Sequence, residues 1–181
     1  MLAALIRNVV GKCGVKCLPE FREIKPKDGE HVLEVPSYAQ TDGYSCGATA
    51  ALSLVRAFRP ESSLRFVYRT VAPEPYVGVG YDRVVKTLRK YHLKVKVVAD
   101  LNWYSMRSSL DRGRPLIVGT GKDTFRGDGN HWSTVYGYGT SPNRVLLGNQ
   151  GGLISHHRWV EWGSFKRYWW GPVGFALICW E

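Results

Sequence analysis

Between Ala48 and Phe58 the chain is apolar and small-residued on almost every side, with Gly47 before the run and Pro60 beyond it. Such a pattern predicts a buried central helix that stops ahead of the proline. From Tyr81 to Tyr91 the pattern changes: Val84, Val85, Leu88 and Tyr91 return at helical spacing, which predicts an amphipathic helix. Lys94 to Val98 then alternates charged and apolar residues as a half-buried strand does. Asn102 to Arg112 reads as a further helix, and Leu116, Ile117 and Val118, after Pro115, as a short apolar strand. His131 to Tyr138 and Arg144 to Asn149 are strand-like runs around the turn residues Gly139 to Asn143, a hairpin signal. Val173 to Cys179 supplies a last apolar strand. Residues 1–34 read as a lead-in, with a short apolar helix at Leu2 to Val10, a Lys-rich turn and an extended segment from His31 to Val35 that ends at Pro36. The expected architecture is α+β: one domain over residues 35–181, helices first, with the central helix packed on an antiparallel sheet.

Composition narrows the class without changing that picture. A chain of 181 residues with 44% hydrophobic and 22% charged residues suits one folded domain and excludes a disordered or collagen-like chain. No apolar run approaches the ~18 residues of a membrane span, and Arg7 and Asn8 interrupt the longest candidate. Without a clear signal peptide, the expected location is the cytoplasm, or that of an effector delivered or secreted from the cell. The net charge of +10 favours acidic partners. Arg83, Lys86, Arg89 and Lys90 could form a phosphate-binding ridge, but a solvated charged helix face explains them as well, so nucleic acid is the lesser reading. Cys13, Cys17, Cys46 and Cys179 are too sparse for a disulfide framework and read as reduced thiols. Neither Cys13 and Cys17 with His31 nor the pair His156 and His157 completes a metal-ligand set, so no metal and no cofactor are expected. Trp159, Trp162, Phe165 and Trp169, at helical spacing, read as core rather than as a stacking platform.

The chemistry concentrates on four residues. Cys46 stands at the start of the central helix, where unpaired N–H groups and the helix dipole favour a thiolate. Gln40, six positions upstream, is close enough for its amide to join the Cys46 N–H around a developing oxyanion. His131 opens an apolar strand, where a polar ring needs a partner, and Asn149 is the residue to supply it. If Tyr138 pairs with Arg144, Asn149 falls opposite Ser133 and diagonal to His131 on one face of the hairpin, whereas a slip of one residue would separate them. Should Asn149 not serve, Asp128 is the next candidate.

The runs Val35-Pro36-Ser37-Tyr38-Ala39-Gln40 and Ser45-Cys46-Gly47-Ala48-Thr49-Ala50, followed by Asn130-His131-Trp132 and Asn149, resemble the compact papain-like cysteine peptidases related to the bacteriocin-leader, or double-glycine, processing family. The resemblance extends over about residues 35 to 180, including Phe165 to Trp169. One departure is Asn149-Gln150, where leader-processing enzymes usually carry aspartate and proline, a pattern closer to papain itself. The resemblance implies a papain-like fold with Cys46 as nucleophile, His131 as base, Asn149 as orienting residue and Gln40 at the oxyanion, hydrolysing peptide bonds through a thioester. A deamidase, transglutaminase or toxin-like effector would use the same chemistry on one specific protein, and a catalytically silent basic binding module is the alternative from another class. The expected substrate is a peptide with acidic flanks and small residues at the cut, entering past Val77 to Gly80 read as a flexible cleft-edge loop.

Overall fold

The computed structural model describes residues 20–21, 24–38, 40, 42–75, 77–99, 101–120, 131–149, 157–169 and 175–181. The expected helix at Leu2 to Val10, Cys13, Cys17, Ala39, the loop with Asp128 and Asn130, Gln150, His156 and Val173 lie outside them. In chain order the elements are β1 (Glu20–Phe21), β2 (Glu30–Val32), β3 (Ser37–Tyr38), α1 (Cys46–Phe58), α2 (Leu64–Val71), α3 (Tyr81–Lys90), β4 (Lys94–Val98), α4 (Trp103–Asp111), β5 (Leu116–Thr120), β6 (His131–Thr140), β7 (Asn143–Gly148), β8 (His157–Glu161), α5 (Trp162–Tyr168) and β9 (Ala176–Trp180). The main sheet has seven strands in the order β4-β9-β5-β6-β7-β8, with β2 added against β6. Every pairing is antiparallel, and β1 with β3 forms a separate two-stranded ribbon. This is the α+β architecture the patterning predicts.

Both faces of the sheet are covered, and the strands alternate accordingly. Ile117, Leu146 and Leu177 face the core built on α1, whose residues from Cys46 to Val55 are all buried. Leu116, Val118, Val145, Leu147 and Ala176 face a second core against Leu101, Trp103, Met106 and Leu110 around α4 and Phe165 and Trp169 at the other side. A capping box starts α4: Asn102 Oδ1 accepts from the Ser105 N–H and Ser105 Oγ accepts from the Asn102 N–H.

The hairpin register departs from the expectation at one end. Tyr138 pairs with Val145, not Arg144, and Arg144 pairs with Gly139. Between Val135 and Gly137 the register shifts, so that Val135 pairs with Leu147 and Thr134 with Gly148, the register the simple arithmetic assigns to the site end. The cause is an extra residue, Tyr136: it faces the α1 core while both Val135 and Tyr138 face the α4 core, which no unbroken alternation permits. Gly137 follows because a Cβ there would sit 2.8 Å from the His31 carbonyl oxygen of β2.

β2 belongs to the main sheet although it lies in the stretch read as a lead-in. It is held by pairing with β6, by His31 stacked 5.3 Å from the Tyr138 ring, and by a 2.5 Å ion pair from Arg144 to the buried Glu30 carboxylate. Two elements go beyond the sequence reading. In α2 only Val67 and Val71 are buried, and its β-branched and aromatic residues carry no helix preference. β8 takes Trp159 out of the run assigned to one helix; Trp162 and Phe165 stand on α5, and Trp169 follows it in a bridge to Thr120. Trp162 packs on Phe165 and Trp169, and Trp159, under the Arg144 guanidinium, packs partly buried against the α1 core, so the core reading holds for all four. Among the described residues no helix is long and apolar enough to cross a membrane.

Candidate active site

The site forms where the first turn of α1 meets the ends of β6 and β7. Gly47 permits this approach: a Cβ on it would come within 2.8 Å of Val79 Cβ and 3.1 Å of Trp132 Cδ1. Trp132, next to His131, donates from its indole N–H to the Val79 carbonyl at 2.8 Å, so its ring clamps the 72–80 loop beside the helix start. That loop is pinned at its base, with Glu74 and Gly78 exchanging backbone hydrogen bonds of 3.0 and 2.8 Å, and Val79 is buried. Val77 at its tip is 80% exposed.

Asn149 joins the two halves. It follows β7, has φ of +59° and is fully buried. Its Nδ2 donates to the Cys46 carbonyl and to the Trp132 carbonyl, both at 2.8 Å. Its own carbonyl lies 2.6 Å from His131 Nε2, and its N–H donates to Ser37 Oγ at 3.2 Å. Cys46, His131 and Asn149 are thus brought together, but the contact between Asn149 and the imidazole runs through the main chain. Asn149 Oδ1 is buried without a hydrogen-bond partner among the described residues.

Gln40 reaches the same region by another route. Its Nε2 donates at 2.5 Å to the carbonyl of Asp42, four residues ahead of Cys46. An amide nitrogen carries two hydrogens, and the Asp42 carbonyl takes one of them. Asp42 itself shapes the turn: Oδ1 accepts from the N–H groups of Tyr44 and Ser45 at 2.9 and 2.7 Å, and Oδ2 from the Tyr68 hydroxyl of α2 at 3.1 Å. Burial works against its charge, but the hydrogen bonds from Ser45, Tyr44 and Tyr68 together win and hold the carboxyl below its ordinary value.

The electrostatics of Cys46 differ from the helix-start expectation. Burial pushes the thiol above its ordinary value, outweighing the backbone N–H groups of Trp132, Gly47 and Cys46 that favour the thiolate, and the Asp42 carboxylate pushes the same way. Three N–H donors stand around the sulfur against a burial that disfavours its charge.

Solved structures with this architecture include a double glycine motif protease from an AMS/PCAT transporter in complex with its leader peptide: TM-score 0.60, 17% identity, covering 82% of this chain and 93% of that one. The peptidase domain of Streptococcus ComA gives 0.59 at 17% identity, over 78% and 94%. A C39-like peptidase from Bacillus anthracis gives 0.66 at 14% identity, over 85% and 98%. The fold is that of the double-glycine peptidase domains. No protein-family model and no curated protein matches the sequence.

Within this peptidase-domain fold, three residues that the sequence reading did not single out hold the site: Asp42, Ser37 and Trp132. Asp42 carries a local signal, an acidic side chain two and three positions before the N–H groups it caps ahead of an apolar run. Ser37 and Trp132 act on residues more than 50 positions away, and no local pattern announces such a contact.

Proposed function

We propose that this chain is a thiol peptidase that cleaves extended peptides, with Cys46 as nucleophile, His131 as general base, Asn149 holding the imidazole, and Gln40 with the Cys46 N–H at the oxyanion. The observation that carries the reading is Asn149: one buried residue hydrogen-bonds both the cysteine at the head of the central helix and the histidine of the neighbouring strand, in a fold shared with peptidase domains. The deep burial of the thiol shapes the mechanism. With burial raising the thiol, His131 takes the Cys46 proton as the sulfur attacks the scissile carbonyl. The tetrahedral oxyanion forms beside the helix start, where backbone N–H groups meet the new charge. Its collapse expels the amine, which takes the proton from the imidazolium, and leaves a thioester on Cys46; water, deprotonated by His131, then releases the acid and restores the thiol.

A peptide substrate is supported by the neighbour that holds a leader peptide. Acidic flanks are supported by the +10 charge of this chain, and small residues at the cut by its likeness to double-glycine enzymes. The deciding experiment treats a proteome with the wild type and with Cys46→Ala and compares new peptide termini by mass spectrometry. Termini that appear only with the wild type support cleavage. Products heavier by one mass unit without new termini would make the chain a deamidase, and no difference would leave a binding module. On the peptides identified, added salt should raise KM and leave kcat unchanged.

A further inference from the structure

We infer that the imidazole of His131 is oriented by the main-chain carbonyl of Asn149, and that the Asn149 side chain is a strut between the central helix and the histidine strand. The inference deepens the proposed peptidase reading and rests on it for the word base, but its geometry stands by itself. The Asn149 amide cannot reach two places. Its nitrogen is spent on the carbonyls of Cys46 and Trp132, and since carbonyls only accept, the NH2 must face them and Oδ1 must face away. Oδ1 then meets no donor among the described residues, His131 included, so it does not hold the ring. The ring meets the Asn149 carbonyl instead, 2.6 Å from Nε2.

The backbone explains how a carbonyl comes to point there. Asn149 leaves β7 in the left-handed region, φ +59°, which turns its carbonyl out of the ladder; asparagine tolerates that conformation better than most residues with a Cβ. Its N–H is fastened to Ser37 Oγ, and the adjacent Gly148 leaves no room for drift, because a Cβ there would lie 2.4 Å from Thr134 Oγ1. A carbonyl acceptor also fixes the proton. Nε2 must carry it in the neutral ring, which makes Nδ1 the nitrogen that takes the proton from Cys46. Asn149 is therefore a positioning residue with two separable parts, and a substitution that keeps the backbone conformation while removing the side chain tells them apart. Glycine does so, whereas alanine would be strained at this φ.

The test is a nitrogen-15 NMR titration of the His131 ring in the full chain, together with melting curves of wild type, Asn149→Gly and Asn149→Asp. The wild type should show the Nε2–H tautomer with a hydrogen-bonded ring proton. Asn149→Gly should keep that tautomer and the wild-type pH profile of the ring while its Tm falls by roughly 5 °C, two buried carbonyls having lost their donor. Asn149→Asp should melt lower still near neutral pH, because a carboxylate would face the Cys46 and Trp132 carbonyls. A wild-type Nδ1–H tautomer would overturn the inference. So would loss of the Nε2–H signal in Asn149→Gly, or an Asn149→Asp variant as stable as wild type with the ring titrating at higher pH. If Asn149→Gly is too unstable to titrate, Ser37→Ala serves: freeing the Asn149 N–H should broaden the ring proton signal, and an unchanged signal would count against the main-chain hold. None of these readouts needs turnover, so the peptidase reading and this one fail separately.

Discussion

Cys46 and Cys179 are both buried free thiols in the core that surrounds the central helix, and burial pushes both above the ordinary thiol value. Their surroundings differ. Cys179 sits near the end of β9, paired with Val95 of β4 and with its N–H on the Pro115 carbonyl just ahead of β5, and its sulfur has a weak 3.8 Å contact to the Leu177 carbonyl, an acceptor that favours the neutral thiol. Cys46 is slightly less buried, and the N–H groups of Trp132, Gly47 and its own backbone surround its sulfur with donors. Burial makes a thiol inert; donors arranged around it before any charge exists prepare it to become charged on demand.

The largest expected difference between the two follows from removing each sulfur. Cys46→Ala should lower turnover by about 10³-fold or more. Cys179→Ala should leave kcat/KM within a few-fold and cost only ~1 kcal/mol in denaturant unfolding for the small cavity. Equal turnover in the two variants would erase the contrast.

Next comes alkylation by iodoacetamide as a function of pH. With its thiol raised by burial, Cys46 should label slowly near neutral pH, and its labelling should climb through the alkaline range. Cys179 should remain unlabelled until the chain unfolds. A labelling rate for Cys46 that is already level by pH 7 would mean that the donors, not burial, decide the resting state.

A smaller effect tests the close approach on which the donors depend. Gly47→Ala puts a Cβ against Val79 and Trp132 and should cost about 1–3 kcal/mol, with kcat falling further than stability alone explains as Trp132 moves off the sulfur. The smallest effect is on alkaline stability. An acid whose folded pKa stands above its unfolded one stabilises the fold fully below the unfolded value, here 9.0, and loses that contribution as pH rises toward the folded value. Unfolding free energy should therefore decline above pH 9, with Tyr68, pushed up to about 12 by its burial, contributing from its ordinary 10.0 upward. Cys179→Ala should make the decline shallower by up to ~1.4 kcal/mol per pH unit.

The sequence reveals the elements whose periodicity survives to their ends, the Cys46 helix and Tyr81 to Lys90, where one face or every face is consistently apolar, and it reveals Lys94 to Val98 although the alternation breaks at Val98. It hides α2, whose β-branched and aromatic residues prefer the opposite state, and β8, whose Trp159 falls at helical spacing with Trp162, so tertiary packing decides. The candidate residues were legible because the proposed chemistry needs rare side chains in a set order. Their mutual contacts were not, since those depend on a main-chain carbonyl, on a glycine that lets two elements touch, and on an aspartate that works by shaping a turn. Nor does residue type alone reveal that the Cys46 thiol is pushed up, because that depends on how completely water is excluded.

The extra residue at Tyr136 makes the β6–β7 hairpin two ribbons of opposite phase joined end to end. On the turn side, strand positions can be exchanged or the connection lengthened without changing which way His131 and the run into Asn149 face. Forcing the pairing to run regularly with Tyr136 kept would turn one half over, either showing Tyr138 to the α1 core or carrying the histidine to the other side of the sheet, whereas deleting Tyr136 would leave Val135 opposite Leu147 and Gly137 opposite Leu146 with both halves facing as they do now. An engineer who rebuilds this hairpin as a regular ribbon with every residue kept would retain His131 and Asn149 in order and lose the site, so either the bulge travels with them or the extra residue is taken out.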